Sequence, residues 1–76
     1  MNKNRRKELE EVQSTLQDAM DRLQNIMDEE QEYFDSMPEN LQQSERASQA
    51  ENAVNAMQES IDNIDSAISN IDTAME

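Results

Sequence analysis

The stretch Ile61-Asp62-Asn63-Ile64-Asp65-Ser66-Ala67 is followed at once by Ile68-Ser69-Asn70-Ile71-Asp72-Thr73-Ala74, a seven-residue unit that recurs with five of its seven positions unchanged. Apolar residues at steps of three and four mark an α-helix with one stripe to be buried. Followed upstream, Ala47, Ala50, Val54, Met57, Ile61, Ile64, Ile68, Ile71 and Met75 keep that spacing without a miss, and Ala53, Ala67 and Ala74 add a flanking row. Isoleucine has β propensity, but here it follows helical phase, and a sustained period outweighs single-residue preference.

The first half carries a second stripe. Leu9, Val12, Leu16, Ala19, Leu23, Ile26, Tyr33 and Met37 step by three and four, with Glu30 the one break. Met20, Met27 and Phe34 form a row beside it, which widens the seam into a face of the kind found in helix bundles. The predicted seam therefore includes Leu16, Met20, Leu23 and Met27 from the first half and Val54, Met57, Ile61, Ile64, Ile68 and Ile71 from the second.

Between the stripes lies Asp35-Ser36-Met37-Pro38-Glu39-Asn40-Leu41-Gln42-Gln43-Ser44, with the only proline of the chain. Proline disfavours helix in the residue before it, so the first helix ends nearby. Ser44 is a candidate N-cap for the second helix, and Ser48 with Glu51 is a competing capping box one turn later. The spacing predicts an all-α chain forming one helical-hairpin unit over 1–76, with helix 1 about 5–36, the turn about 37–44 and helix 2 about 45–75. Two helices of equal length joined by a short turn run antiparallel. The cluster Lys3, Arg5, Arg6, Lys7 then falls at the same end as Asp72 and Glu76.

Two antiparallel helices cover one seam, yet each helix has a surplus apolar row. Two hairpins dimerising into a four-helix bundle would cover it, and a different protein docked on the surplus face is the alternative. The six Met residues suit a core that needs gap-fillers, or an adaptable binding surface.

Composition narrows the chemistry. Eighteen Asp and Glu against six Lys and Arg give a net charge of -12, with no Cys, His, Gly or Trp. Disulfides, thiol and imidazole catalysis, soft metal sites and glycine-built phosphate loops are excluded. Leu, Ile, Val and Phe make up 12 of 76 residues, a proportion typical of disordered chains; the ordered period argues against disorder. Carboxylates without a D-x-D-x-D spacing or a pocket give no reason to expect metal binding, catalysis or a cofactor.

The candidate site is the hairpin tip. Glu29, Glu30 and Glu32 lie beside Tyr33, Phe34, Met37 and Leu41, and Asp28, Asp35, Glu39 and Glu45 complete an acidic rim. Carboxylates at a helix C-terminus oppose the macrodipole, so helix stability does not select them there. An apolar knob inside an acidic rim suits an interface with a basic protein, including one that binds nucleic acid. The competing reading is that Tyr33 and Phe34 close the bundle core while the acids are a solvated face. Mimicry of nucleic acid by the outward carboxylate rows is an alternative function, and a structural spacer or assembly hairpin is a third. The charge balance argues against binding DNA, RNA or membrane directly.

The segment Glu32-Tyr33-Phe34-Asp35-Ser36-Met37-Pro38-Glu39-Asn40-Leu41-Gln42-Gln43-Ser44-Glu45-Arg46, leading into Ala50-Glu51-Asn52-Ala53-Val54, resembles short acidic helical-hairpin accessory proteins of phages and mobile elements of Gram-positive bacteria. The resemblance implies an accessory protein acting inside a bacterial host cell, an inhibitor of a host defence or nucleic-acid-processing protein. It assigns no role to any single residue. No apolar run approaches the ~18 residues of a membrane span and no signal-peptide core is evident, so the expectation is a non-enzymatic, cytoplasmic protein-binding modulator.

Overall fold

The computed structural model describes every residue except Gln42 and Gln43, and it is a hairpin of two long helices. Helix α1 spans Lys3–Asp35 and helix α2 spans Glu45–Ala74, joined through a 3-10 turn at Glu39–Leu41. The predicted turn at 37–44 corresponds to this connection, and its Gln42 and Gln43 lie outside the described residues.

Each boundary has a local cause. The Asn2 side chain accepts from the Arg5 N–H at 2.8 Å and caps α1. At the other end no glycine is available for a left-handed cap, and among the described residues none has positive φ. Helix α1 stops instead with Ser36 still in the right-handed region, its N–H donating to the Glu32 carbonyl at 3.0 Å, two residues before Pro38. The turn then closes on itself, with the Leu41 N–H donating to the Pro38 carbonyl at 2.8 Å and the Ser44 N–H to Leu41 at 3.0 Å. Of the two candidate caps for α2, Ser44 is used: its Oγ accepts from the Ala47 N–H at 3.3 Å, in extended backbone.

The molecule is a rod of 59 × 15 × 12 Å. Its radius of gyration is 17.3 Å, where a compact domain of this length would have about 11 Å. One seam between two rods covers few side chains fully. Among the described residues only Met27 (8% exposed), Ala47 (0%) and Ala50 (2%) are buried. The rest of the α2 stripe, from Val54 through Ile71 to Met75, is half-buried. The two most buried positions are alanines beside the turn.

On α1 the seam is not the row that hydropathy selects. The residues turned toward α2 are Leu9, Gln13, Leu16, Met20, Leu23, Met27, Glu30, Phe34 and Met37, an unbroken four-three series of buried or half-buried positions. Leu16, Met20, Leu23 and Met27 thus fall in the seam. Val12, Ile26 and Tyr33, expected in the same row as Leu9 and Leu16, stand outside it at 46, 49 and 47% exposure, and Ala19 between them is half-buried. The reason is geometric. Three adjacent apolar rows span more of the helix circumference than one facing helix covers, and packing takes the Met20–Met27–Phe34 row and leaves the Val12 row uncovered.

Gln13 is the polar member of the seam. Its amide donates to the Ile68 carbonyl at 3.0 Å and to Asp72 Oδ1 at 2.7 Å, so that side-chain hydrogen bonds join the two helices here. They are consistent with the antiparallel register. The basic cluster does sit at this end, but the described hydrogen bonds there link α2 to Gln13 rather than to Lys3, Arg5, Arg6 or Lys7.

Candidate functional site

Where α1 meets the turn, Tyr33, Met37, Leu41, Ser44, Glu45 and Arg46 line an open groove of about 380 Å³. Three elements build it: the last turn of α1 presents Tyr33, the 3-10 turn holds Leu41, and the first turn of α2 supplies Glu45 and Arg46. Tyr33 and Leu41 are each about half exposed (47 and 48%), and Met37 between them is half-buried. Its lining combines the apolar bodies of Tyr33, Met37 and Leu41 with one carboxylate, Glu45, and one cation, Arg46. It can take an apolar side chain of another molecule beside a charged group.

The predicted tip residues separate into two groups. Tyr33, Met37 and Leu41 gather at the groove. Phe34 does not join them; it continues the Met20–Met27 row into the seam and is half-buried there. Glu29 and Glu32 are exposed on the outer surface, and Glu30 is half-buried on the seam side of α1. Ser44, expected only as an N-cap, and Arg46, given no role by its sequence context, also line the groove. Arg46 could have been singled out: it is the one cation among seven tip carboxylates.

The outer surface of α1 has its own order. Gln17, Gln24 and Gln31, spaced by seven, donate to Asp21, Asp28 and Asp35 at 3.2, 2.9 and 3.0 Å, and Gln58 donates to Asp62 at 3.1 Å on α2. These are four-residue pairs on one helix face, each worth a few tenths of a kcal/mol. Glutamine amides thus occupy part of the carboxylate surface and hold it in a regular row. At the opposite end of the rod, Lys3, Asn4, Arg6, Lys7 and Glu10 border a second open groove, cationic where the tip is anionic.

Among the described residues no group of three or more carboxylates converges on a point where a metal ion could sit. No described helix is long and apolar enough to cross a membrane. Comparison with protein families, curated proteins and solved structures finds no match to this chain.

Proposed function

We propose that this hairpin is a non-enzymatic protein-binding modulator that seats its tip on a basic, nucleic-acid-binding protein in the bacterial cytoplasm. In the setting implied by its resemblance to phage accessory proteins, it acts as an inhibitor of a host defence or nucleic-acid-processing protein. The observation that carries this reading is the exposure of Tyr33 and Leu41 on either side of one groove at the most acidic part of the molecule. The seam does not need Tyr33, because Phe34 fills that position one residue along. An aromatic ring left half in water in a groove that also holds Glu45 and Arg46 has the composition of an interface centre beside a polar rim.

The test is capture from a nuclease-treated Gram-positive lysate on the tagged chain, beside a Tyr33→Ala, Leu41→Ala double variant. A protein retained by the parent chain and lost by the variant, with helicity unchanged, is the expected result. Equal capture by both refutes docking through the tip.

Nucleic-acid mimicry is the second reading, favoured by the regular carboxylate rows of the outer surface. A net charge of -12 along a 59 Å rod is one net charge per roughly 5 Å, about a third of the axial density of duplex DNA. A partner that dissociates in high salt from parent and variant alike would favour mimicry.

A further inference from the structure

The uncovered row of α1 has a counterpart on α2. Gln13 and Asp72 bond across one side of the hairpin. On α1 the Val12, Ala19, Ile26, Tyr33 row lies about 100° around the helix from Gln13, and on α2 the Ala53, Ala67, Ala74 row lies roughly 150° from Asp72. Both rows therefore emerge on the opposite side, flanking the seam, and make one continuous apolar face. That face is almost without negative charge. The two rows hold no carboxylate, and of the 18 carboxylates Glu30 alone falls in the seam rows beside them, Leu9 to Met37 on α1 and Ala50 to Ile71 on α2; Arg5 and Arg46 belong to the face itself. A chain of net charge -12 thus has one surface on which a like-charged copy would meet little repulsion.

The exposed area is larger than the chain's size calls for. The hairpin exposes 5814 Å² for 8.8 kDa, where a folded monomer of that mass has about 4,800 Å². The surplus of about 1,000 Å² compares with the roughly 800 Å² that each partner buries in a standard protein interface.

We propose that this face binds a second copy of the chain, with the two tips at opposite ends of a four-helix bundle. The order of residues along α1 fits that symmetry. Ala19 is the midpoint of Lys3–Asp35. A two-fold axis there puts Ala19 beside its own counterpart, Val12 level with Ile26 of the other copy, and Arg5 level with Tyr33, within reach of a cation–π contact. Small residues at the axis allow close approach, and the larger ones pack on either side. The charges select the direction. Tips at opposite ends bring the Lys3–Lys7 end of one copy alongside the acidic tip of the other, whereas tips together would stack two sets of seven carboxylates. In this bundle the outer carboxylate rows remain in water on both sides. Tyr33 and Arg46 belong both to this face and to the tip groove, so the two bindings share an edge; Ile26 and Ala67, whose substitution tests the dimer, lie outside the groove.

Sedimentation equilibrium of the full chain should give about 17.6 kDa, twice the 8.8 kDa of one chain, and thermal unfolding should shift upward with protein concentration, as mass action requires of a dimer. Ile26→Asp, at a position half exposed in the hairpin, should halve the mass, and Ala67→Arg on the α2 side should do the same. Under mild oxidation Ala19→Cys should form disulfide-linked dimers efficiently, while Tyr33→Cys should not, because its two copies would lie about 42 Å apart. A monomer with concentration-independent unfolding overturns the proposal and leaves the face to another protein. A dimer indifferent to Ile26→Asp and Ala67→Arg overturns the choice of face, and cross-linking through Cys at position 33, or none through position 19, overturns the antiparallel arrangement.

Discussion

Ala50→Leu tests the packing of α2 beside the turn. Ala50 is 2% exposed and Ala47, three residues before it, is 0% exposed, so a larger side chain at Ala50 must enter space that other atoms already cover. Three added carbons must displace a neighbour or push the helices apart. Overpacking of this kind destabilises by about 1–3 kcal/mol, and for a domain of this size each kcal/mol moves Tm by about 4–8 °C. The expected loss is therefore about 5–20 °C. Ala56→Leu is the control, since Ala56 is exposed on the same helix and alanine and leucine have similar helix propensity; its effect should stay within about 0.5 kcal/mol. The assay is far-UV circular dichroism against temperature, with all chains at one concentration. Equal melting of the two variants, or a higher Tm for Ala50→Leu, would refute the claim that Ala50 is tightly packed beside the turn.

Three further outcomes follow from the geometry. Ser44→Ala removes the acceptor of the Ala47 N–H and should lower stability by about 1 kcal/mol, while Ser48→Ala, at the unused cap, should change it by less than about 0.5 kcal/mol; chemical denaturation measures both. Gln13→Glu sets a carboxylate where an amide donates to Ile68 and Asp72, so the variant should be less stable than the parent at neutral pH by about 1 kcal/mol. The like charge raises the introduced carboxyl's pKa in the folded state, so the deficit shrinks as pH falls through the carboxylate range, read from melts across pH. Ile64→Asp puts a charge into the half-buried seam and should cost about 3 kcal/mol or more, seen as loss of helicity; retained helicity would place the seam elsewhere.

What the sequence carried was local. The heptads of α2 read correctly because apolar and polar residues alternate there cleanly, with one two-row stripe and a single flanking row of alanines. The turn and its cap were legible for the same reason, since Pro38 and Ser44 act through their own backbone and nearest neighbours. The tip was legible as a concentration of charge and aromatic rings, but not in its division of labour. Tyr33 and Phe34 are adjacent in the chain and both in apolar rows, and one ring ends in water and the other in the seam because successive residues point about 100° apart.

On α1 the residues alone left a choice that only packing made. Three neighbouring rows compete, and the Val12 row is the more consistently apolar, since the row that competes with it contains Gln13, while Glu30 falls in the row common to both choices. Single-helix hydropathy therefore ranks the Val12 row above the Met20–Met27–Phe34 row, although the expected seam residues Leu16, Met20, Leu23 and Met27 do lie in the seam. The tertiary structure reverses that ranking because burial depends on what the opposite helix offers: the Ile68 carbonyl and Asp72 satisfy the amide of Gln13, and Ala47 and Ala50 leave room at the end where Phe34 enters. Helix formation and reversal of the chain are thus written locally in the sequence. Which face is covered, and which is left open for another molecule, is decided by contacts between the two helices, up to 59 positions apart in the chain, whose partners no local pattern names.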